Sequence, residues 1–142
     1  MIGAKAYATV MIAGGVIQLI QDAFMKIPLG PVGILILMMI ILFILGCFLD
    51  PITIVIITIP VFLPIVKHLG FDPVWYGVLF VTNLQLGYVT PPFGMSLFYL
   101  KGVAPKEITL NDIYRSVWPF ILVEIIAIAL LITFPQLIMW II

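Results

Sequence analysis

The chain has 142 residues, 65% of them hydrophobic and 8% charged, with a mean hydropathy of +1.37. That composition excludes a soluble domain of this length and points to an all-α integral membrane protein. The formal net charge is zero and no basic or acidic run occurs, so nucleic-acid binding has no electrostatic footprint.

The opening residues carry one lysine and no cleavage-type sequel, so no secretory signal is recognisable; the start reads as if a longer protein were entered partway. Tyr7 to Met25 is the first candidate span, apolar at its start but carrying Gln18, Gln21 and Asp22 towards its end. A helix needs about 20 apolar residues to cross the hydrocarbon, so this span is marginal. Gly14 and Gly15 allow close packing against a neighbour, or a kink. Lys26 to Pro31 reads as a turn at the membrane surface, closing a first unit over residues 1–31.

Residues 32–66 form an apolar run too long for one ordinary span, interrupted by Gly46, Asp50-Pro51, Pro60 and Pro64. Either two full spans follow one another, or the run is a re-entrant hairpin with its tip, Gly46 to Thr53, at membrane depth. The hairpin is preferred because Asp50 falls at its middle. Two arms of roughly 16 residues would each be about 24 Å long. A carboxylate at that depth must face protein, water or a cation. With Thr53 and the carbonyls exposed by the break, Asp50 supplies hard oxygen ligands of the kind alkali cations accept. Asp50 also suits the cap of the second arm, with Pro51 in its first turn, and the two roles are compatible. Cys47, the single cysteine, sits in this apolar run and reads as a buried structural thiol.

In the turn Lys67 to Pro73, Gly70 can end one helix in a left-handed conformation, and Asp72 can cap the next with Pro73 at its first position. His68 is the only histidine, which excludes a multi-histidine metal site; beside Lys67 it reads as interfacial. Residues 73–100 are expected to cross the membrane as a discontinuous helix. The first arm runs from Val74 to Leu86, and Gly94 opens the second. Around the break, the stretch Asn83 to Phe98 carries Pro91 and Pro92, which cannot donate backbone hydrogen bonds and clash with a continuing helix. Breaks of this kind, flanked by small polar residues, are where transporters coordinate ions and substrate. Trp75, Tyr76 and Tyr99 read as interfacial aromatic residues.

Residues 101–116 are the one sustained polar stretch, with Thr109 to Asp112 as the entry to a short interfacial helix capped by Asn111 or Asp112. Residues 117–142 hold the last span, with Pro119 in its first turn, Pro135 ending it and Trp140 at the far interface. Glu124, about a third of the way in, is an ionisable residue at membrane depth. Pairing with a neighbouring helix and snorkelling towards Arg115 both remain open for it. With the hairpin, Lys26 and Lys67 share one side against Lys101, Lys106 and Arg115 on the other, which puts residues 101–116 in the cytoplasm.

Catalytic sets are missing from the pattern. No glycine-rich loop with a lysine occurs, no His-Glu-x-x-His, no base near Ser96 or Ser116, and only one aspartate at depth, so an enzyme is not expected.

The stretch from Gly46-Cys-Phe-Leu-Asp50-Pro51 through Pro60 and Pro64 to Thr90-Pro-Pro-Phe-Gly94 resembles the large membrane subunit of tripartite ATP-independent periplasmic (TRAP) transporters, and the match runs from about Gly33 to the end. The resemblance implies a sodium-coupled importer of organic acids in the bacterial inner membrane. Its implied partners are a small membrane subunit and a periplasmic substrate-binding protein. It also implies two inverted repeats moving as an elevator, of which this chain looks like the second, with the amino-terminal repeat missing. Carried over by position, Gly46, Asp50, Thr53, Thr90 and Gly94 would help form a sodium site, and Asn83, Gln85, Pro91, Pro92 and Ser96 would lie at the substrate cavity. Many members have a glutamate where this chain has Gln85. The alternative is a scaffold or accessory protein, or an inactive truncated permease, with no transport of its own.

Overall fold

A computed structural model describes residues 9–10, 13–91 and 94–140 of the chain. Its elements are helices: α1 (Val16–Met25), α2 (Pro31–Phe48), α3 (Pro51–His68), α4 (Pro73–Val89), α5 (Met95–Val103), α6 (Leu110–Thr133) and the short α7 (Gln136–Met139), with no strand among the described residues. By length and composition, α2, α3 and α6 can each cross a membrane.

Local chemistry sets most of the boundaries. Helices α2, α3 and α4 each open with a proline in the first turn, where its missing N–H costs nothing. Asp50 caps α3 by accepting from the Thr53 amide at 2.9 Å, and Asp72 caps α4 by accepting from Val74 and Trp75. Gly70, at φ +81, carries the chain off the end of α3, a conformation that disfavours any residue with a Cβ. Gly15, at φ +68, interrupts the first candidate span just before α1, so the kink is realised there.

Three boundaries depart from the sequence reading. Pro60 and Pro64 do not interrupt α3, which runs through both. In a packed bundle, neighbouring helices and local adjustment satisfy the carbonyls that such prolines free. The first arm of the discontinuous helix continues past Leu86 to Val89, with Asn83 and Gln85 inside it as expected. The separate interfacial helix expected within residues 101–116 is instead the first turns of α6. Thr109 caps that helix, exchanging hydrogen bonds with Asp112 in a capping box, and Pro119 becomes an interior residue.

The chain path follows from a few contacts. Asn83 Nδ2 donates to the Met39 carbonyl at 2.9 Å, and Tyr88 Oη donates to the Leu49 carbonyl at 3.4 Å, so α2 and α4 run parallel. Helix α3 packs against both and runs antiparallel to them, which makes α2–α3 a helical hairpin with Leu49 and Asp50 at its tip. Trp75 Nε1 donates to the Leu131 carbonyl at 2.9 Å, which sets the end of α6 beside the start of α4, antiparallel to it.

The larger core lies among α2, α3 and α4, where Leu35, Met38, Leu42, Ile54, Ile65, Val66, Tyr76 and Leu79 are fully buried. Phe24 of α1 joins it through an edge-on contact with Phe62. A smaller core joins Leu86 of α4 and Leu97 of α5 to Ile113, Val117 and Ile121 of α6. Trp75 and Tyr76, expected at the interface, are both buried.

Candidate functional site

The hairpin tip and the break in the fourth helix stand at the same level. Tyr88, in the last turn of α4, reaches the Leu49 carbonyl at the tip, and the break begins two residues later at Thr90. Four helix ends meet there: the carboxyl ends of α2 and α4, and the amino ends of α3 and α5. Carboxyl ends present carbonyl oxygens and negative partial charge; amino ends present N–H groups and positive partial charge. A cation and an anionic group can therefore be served within one site.

The site has a cavity of about 330 Å³ lined by Asp50, Pro51, Tyr88, Met95, Ser96 and Tyr99. It joins the tip to the second arm of the broken helix. Asp50 is exposed into it, and its carboxylate also accepts from the Thr53 hydroxyl, so Thr53 holds both oxygens in place. Thr90 ends α4 in an extended conformation, and its hydroxyl donates to the Leu86 carbonyl at 2.6 Å, leaving the oxygen free to accept or to coordinate. Gly94 donates its amide to the Thr90 carbonyl at 3.1 Å across the break. A Cβ at Gly94 would stand 2.9 Å from a methyl of Leu97 and 3.3 Å from that carbonyl, so a larger residue there would have to displace the Leu97 side chain. Helix α5 starts without a side-chain cap, and its first turn includes Met95 and Ser96 of the cavity wall.

The residues singled out from sequence divide by position. Asp50, Thr53, Thr90, Pro91, Gly94 and Ser96 lie at the tip or the break. Gly46 is one turn inside α2, buried, with a carbon of Gly87 at 3.4 Å from where its Cβ would stand. Asn83 is buried in α4 and spends its amide on Met39 of α2. It lines a different, apolar groove of about 350 Å³, shared with Met39, Phe43, Leu86, Ile128 and Ile132. Gln85 is exposed on α4 and lines neither cavity. Pro92 lies outside the described residues. Among the described residues there is no cluster of three or more His, Cys, Asp or Glu side chains placed to hold a metal ion.

Tyr88, which no motif singles out, and Tyr99, expected at the membrane interface, both line the tip-and-break cavity. Position could have found Tyr88: it stands two residues before Thr90, where a side chain leaving the last turn must pass the broken backbone. Nothing local marks Tyr99, because its place in the wall depends on how α5 leaves the break.

The family model of the tripartite ATP-independent periplasmic transporter, DctM component, matches residues 1–137. The sialic acid TRAP transporter large permease protein of Vibrio cholerae is 33% identical over 119 residues, covering 84% of this chain and 27% of that protein. The ectoine/5-hydroxyectoine TRAP transporter large permease protein of Ruegeria pomeroyi is 36% identical over 138 residues, covering 96% of this chain and 32% of the relative. The C4-dicarboxylate TRAP transporter large permease protein of Vibrio cholerae is 33% identical over 104 residues, 73% of this chain and 22% of the relative. The chain thus spans between about a fifth and a third of the length of these relatives.

Proposed function

This chain belongs to the DctM component family of tripartite ATP-independent periplasmic transporters, and on that premise we propose that it works within a sodium-coupled importer of organic acids. The family is one of inner-membrane transporters and not of enzymes. The chain corresponds to a portion of the large permease subunit. The complete importer would include a small membrane subunit and a periplasmic binding protein that delivers the substrate.

The observation that carries the proposal is the shared cavity of the hairpin tip and the broken helix. Sodium would bind where the carboxyl ends of α2 and α4 converge, taking oxygens from Asp50, Thr53, Thr90 and the backbone of Gly94. Ser96, Pro91 and the uncapped start of α5 would face the carboxylate of the substrate. Sodium bound first fixes the tip against the break, so the substrate meets an ordered pocket and the ordering cost of its binding falls. That difference is the coupling free energy. Gly46 and Asn83 hold α2 against α4 and so position the site from outside it.

The same arrangement supports a re-entrant hairpin. The tip ends level with the break, and α5 carries the chain a further nine residues, about 14 Å of helix, before it turns back into α6. We place residues 101–116 on the cytoplasmic side and regard the hairpin and broken helix as half of an inverted-repeat elevator. The other half of the cavity would come from the amino-terminal repeat.

Uptake by the complete subunit, reconstituted with its partners, tests the proposal. Asp50→Ala and Thr90→Ala should each abolish the sodium dependence of transport. Sodium dependence unchanged in both variants would remove the ion site from the tip and break.

A further inference from the structure

Tyr88 lines the tip-and-break cavity, yet its hydroxyl is already engaged at the cavity's edge. Tyr88 Oη donates to the carbonyl of Leu49, the residue that caps the end of α2, at 3.4 Å. Carbonyls at the end of a helix lack intrahelical donors, and the Tyr88 hydroxyl meets this one from the neighbouring helix.

The length of that bond sets it apart. Strong O–H···O bonds measure about 2.5–3.0 Å. The Thr90 hydroxyl meets the Leu86 carbonyl at 2.6 Å, within its own helix. The Tyr88 bond instead joins α4 to the hairpin tip, and it is the weaker of the two. It can be given up at lower cost.

Its acceptor also lies where a cation would draw on oxygen. Leu49 directly precedes Asp50, and Asp50 and Tyr88 line the same cavity. A sodium ion held by Asp50 recruits nearby backbone carbonyls to replace its hydration shell. A cation on the Leu49 oxygen repels the hydroxyl proton aimed at that oxygen, so the ion and the hydrogen bond compete.

We propose that Tyr88 is a positioning residue that competes with sodium for the Leu49 carbonyl, so that sodium binding turns its hydroxyl into the cavity. The released O–H stands on the wall shared with Ser96, free to donate to a carboxylate. A bond to an ionised acceptor is stronger than the one given up. Sodium thus does two things for an incoming anion: it offsets the charge of Asp50, and it supplies a donor. This inference rests on the sodium site proposed above and deepens it. A hydroxyl that merely tied the tip to the break would act with the opposite sign, since its loss would weaken sodium binding.

Binding of radioactive sodium to the purified complete subunit tests the sign, with the site defined as the component lost in Asp50→Asn. Tyr88→Phe removes the competitor and should tighten that component severalfold. Equal or weaker binding in Tyr88→Phe, beside normal wild-type binding, would overturn this inference and leave the sodium site standing. No component lost in Asp50→Asn would overturn both. A second measurement keeps the hydroxyl in place: a tyrosine with fluorine beside the hydroxyl is incorporated at position 88 and followed by fluorine NMR. Sodium, but not potassium, should shift its resonance, and Asp50→Asn should abolish the shift. A resonance unmoved by sodium that does bind would likewise overturn the exchange.

Discussion

Gly46 and Gly87 lie backbone to backbone where α2 crosses α4, so close that a Cβ on Gly87 would stand 2.9 Å from the Cα and carbonyl carbon of Gly46. Lipid tails are as apolar as leucine, so burying apolar surface does little to bring these helices together; close approach and hydrogen bonds across the contact do more. The glycine pair allows that approach, and the Asn83 to Met39 hydrogen bond lies on the same contact, one turn away along α4 and two along α2.

The crossing predicts an asymmetry. Gly87→Ala puts a methyl against backbone that cannot rotate aside, and overpacking of this kind costs about 1–3 kcal/mol. Gly46→Ala meets Gly87 at 3.4 Å, an ordinary contact, and should cost much less. Gly77→Ala, with nothing within 4 Å, should be neutral or stabilising by up to about 1 kcal/mol through helix propensity. Thermal unfolding of the three variants in one detergent would test this, and equal effects at Gly87 and Gly77 would refute the crossing.

Asp50 caps α3 and, in the proposal, holds sodium, and these roles separate by substitution. Asn and Ser keep the cap but carry no charge, whereas Ala loses both, at about 1 kcal/mol for the cap. Asp50→Asn is therefore expected to fold with near-normal stability and to lose sodium dependence. Asp50→Ala should lose both. If Asp50→Asn retains full sodium dependence, capping is the only work this carboxylate does.

Such local chemistry was legible in the sequence. An aspartate before a proline marks a helix start wherever it occurs, which is why Asp50 and Asp72 were placed correctly, and two adjacent prolines end a helix without help from its surroundings. Pro60 and Pro64 misled because neighbouring helices in a bundle can accommodate the groups that an isolated helix would leave unsatisfied. Gly46, Asn83 and Tyr99 were not legible for a different reason. The membrane helices are apolar on almost every side, so periodicity does not say which face meets which neighbour, and roles that depend on a crossing helix stay hidden.

Tyr76 is fully buried, and its hydroxyl has no hydrogen-bond partner among the described residues. Leaving a buried polar group unpaired costs about 1–3 kcal/mol. Tyr76→Phe removes that oxygen and keeps the ring, so the variant should unfold at an equal or higher temperature. Tyr76→Leu should unfold lower, because the ring fills the core between α2 and α3. A marked loss of stability in Tyr76→Phe would mean that the hydroxyl has a partner, such as an ordered water.

Trp75 ties α4 to the far end of α6 through its indole N–H and the Leu131 carbonyl. Trp75→Phe should cost about 1 kcal/mol. Hydrogen exchange should then rise in the last turns of α6 while remaining unchanged at Ile113 to Ile121, which the smaller core holds. Uniform acceleration along the helix would show that the bond has no local role.

Sodium binding between the hairpin tip and the break is what ties the cavity to transport. The direct measurement is the rate at which a thiol reagent modifies Ser96→Cys, in a Cys47→Ala background of the complete subunit, with and without sodium. Sodium, but not potassium, should slow the reaction severalfold, and adding Asp50→Asn should abolish that protection. Equal rates with and without sodium, or protection that survives Asp50→Asn, would contradict the site.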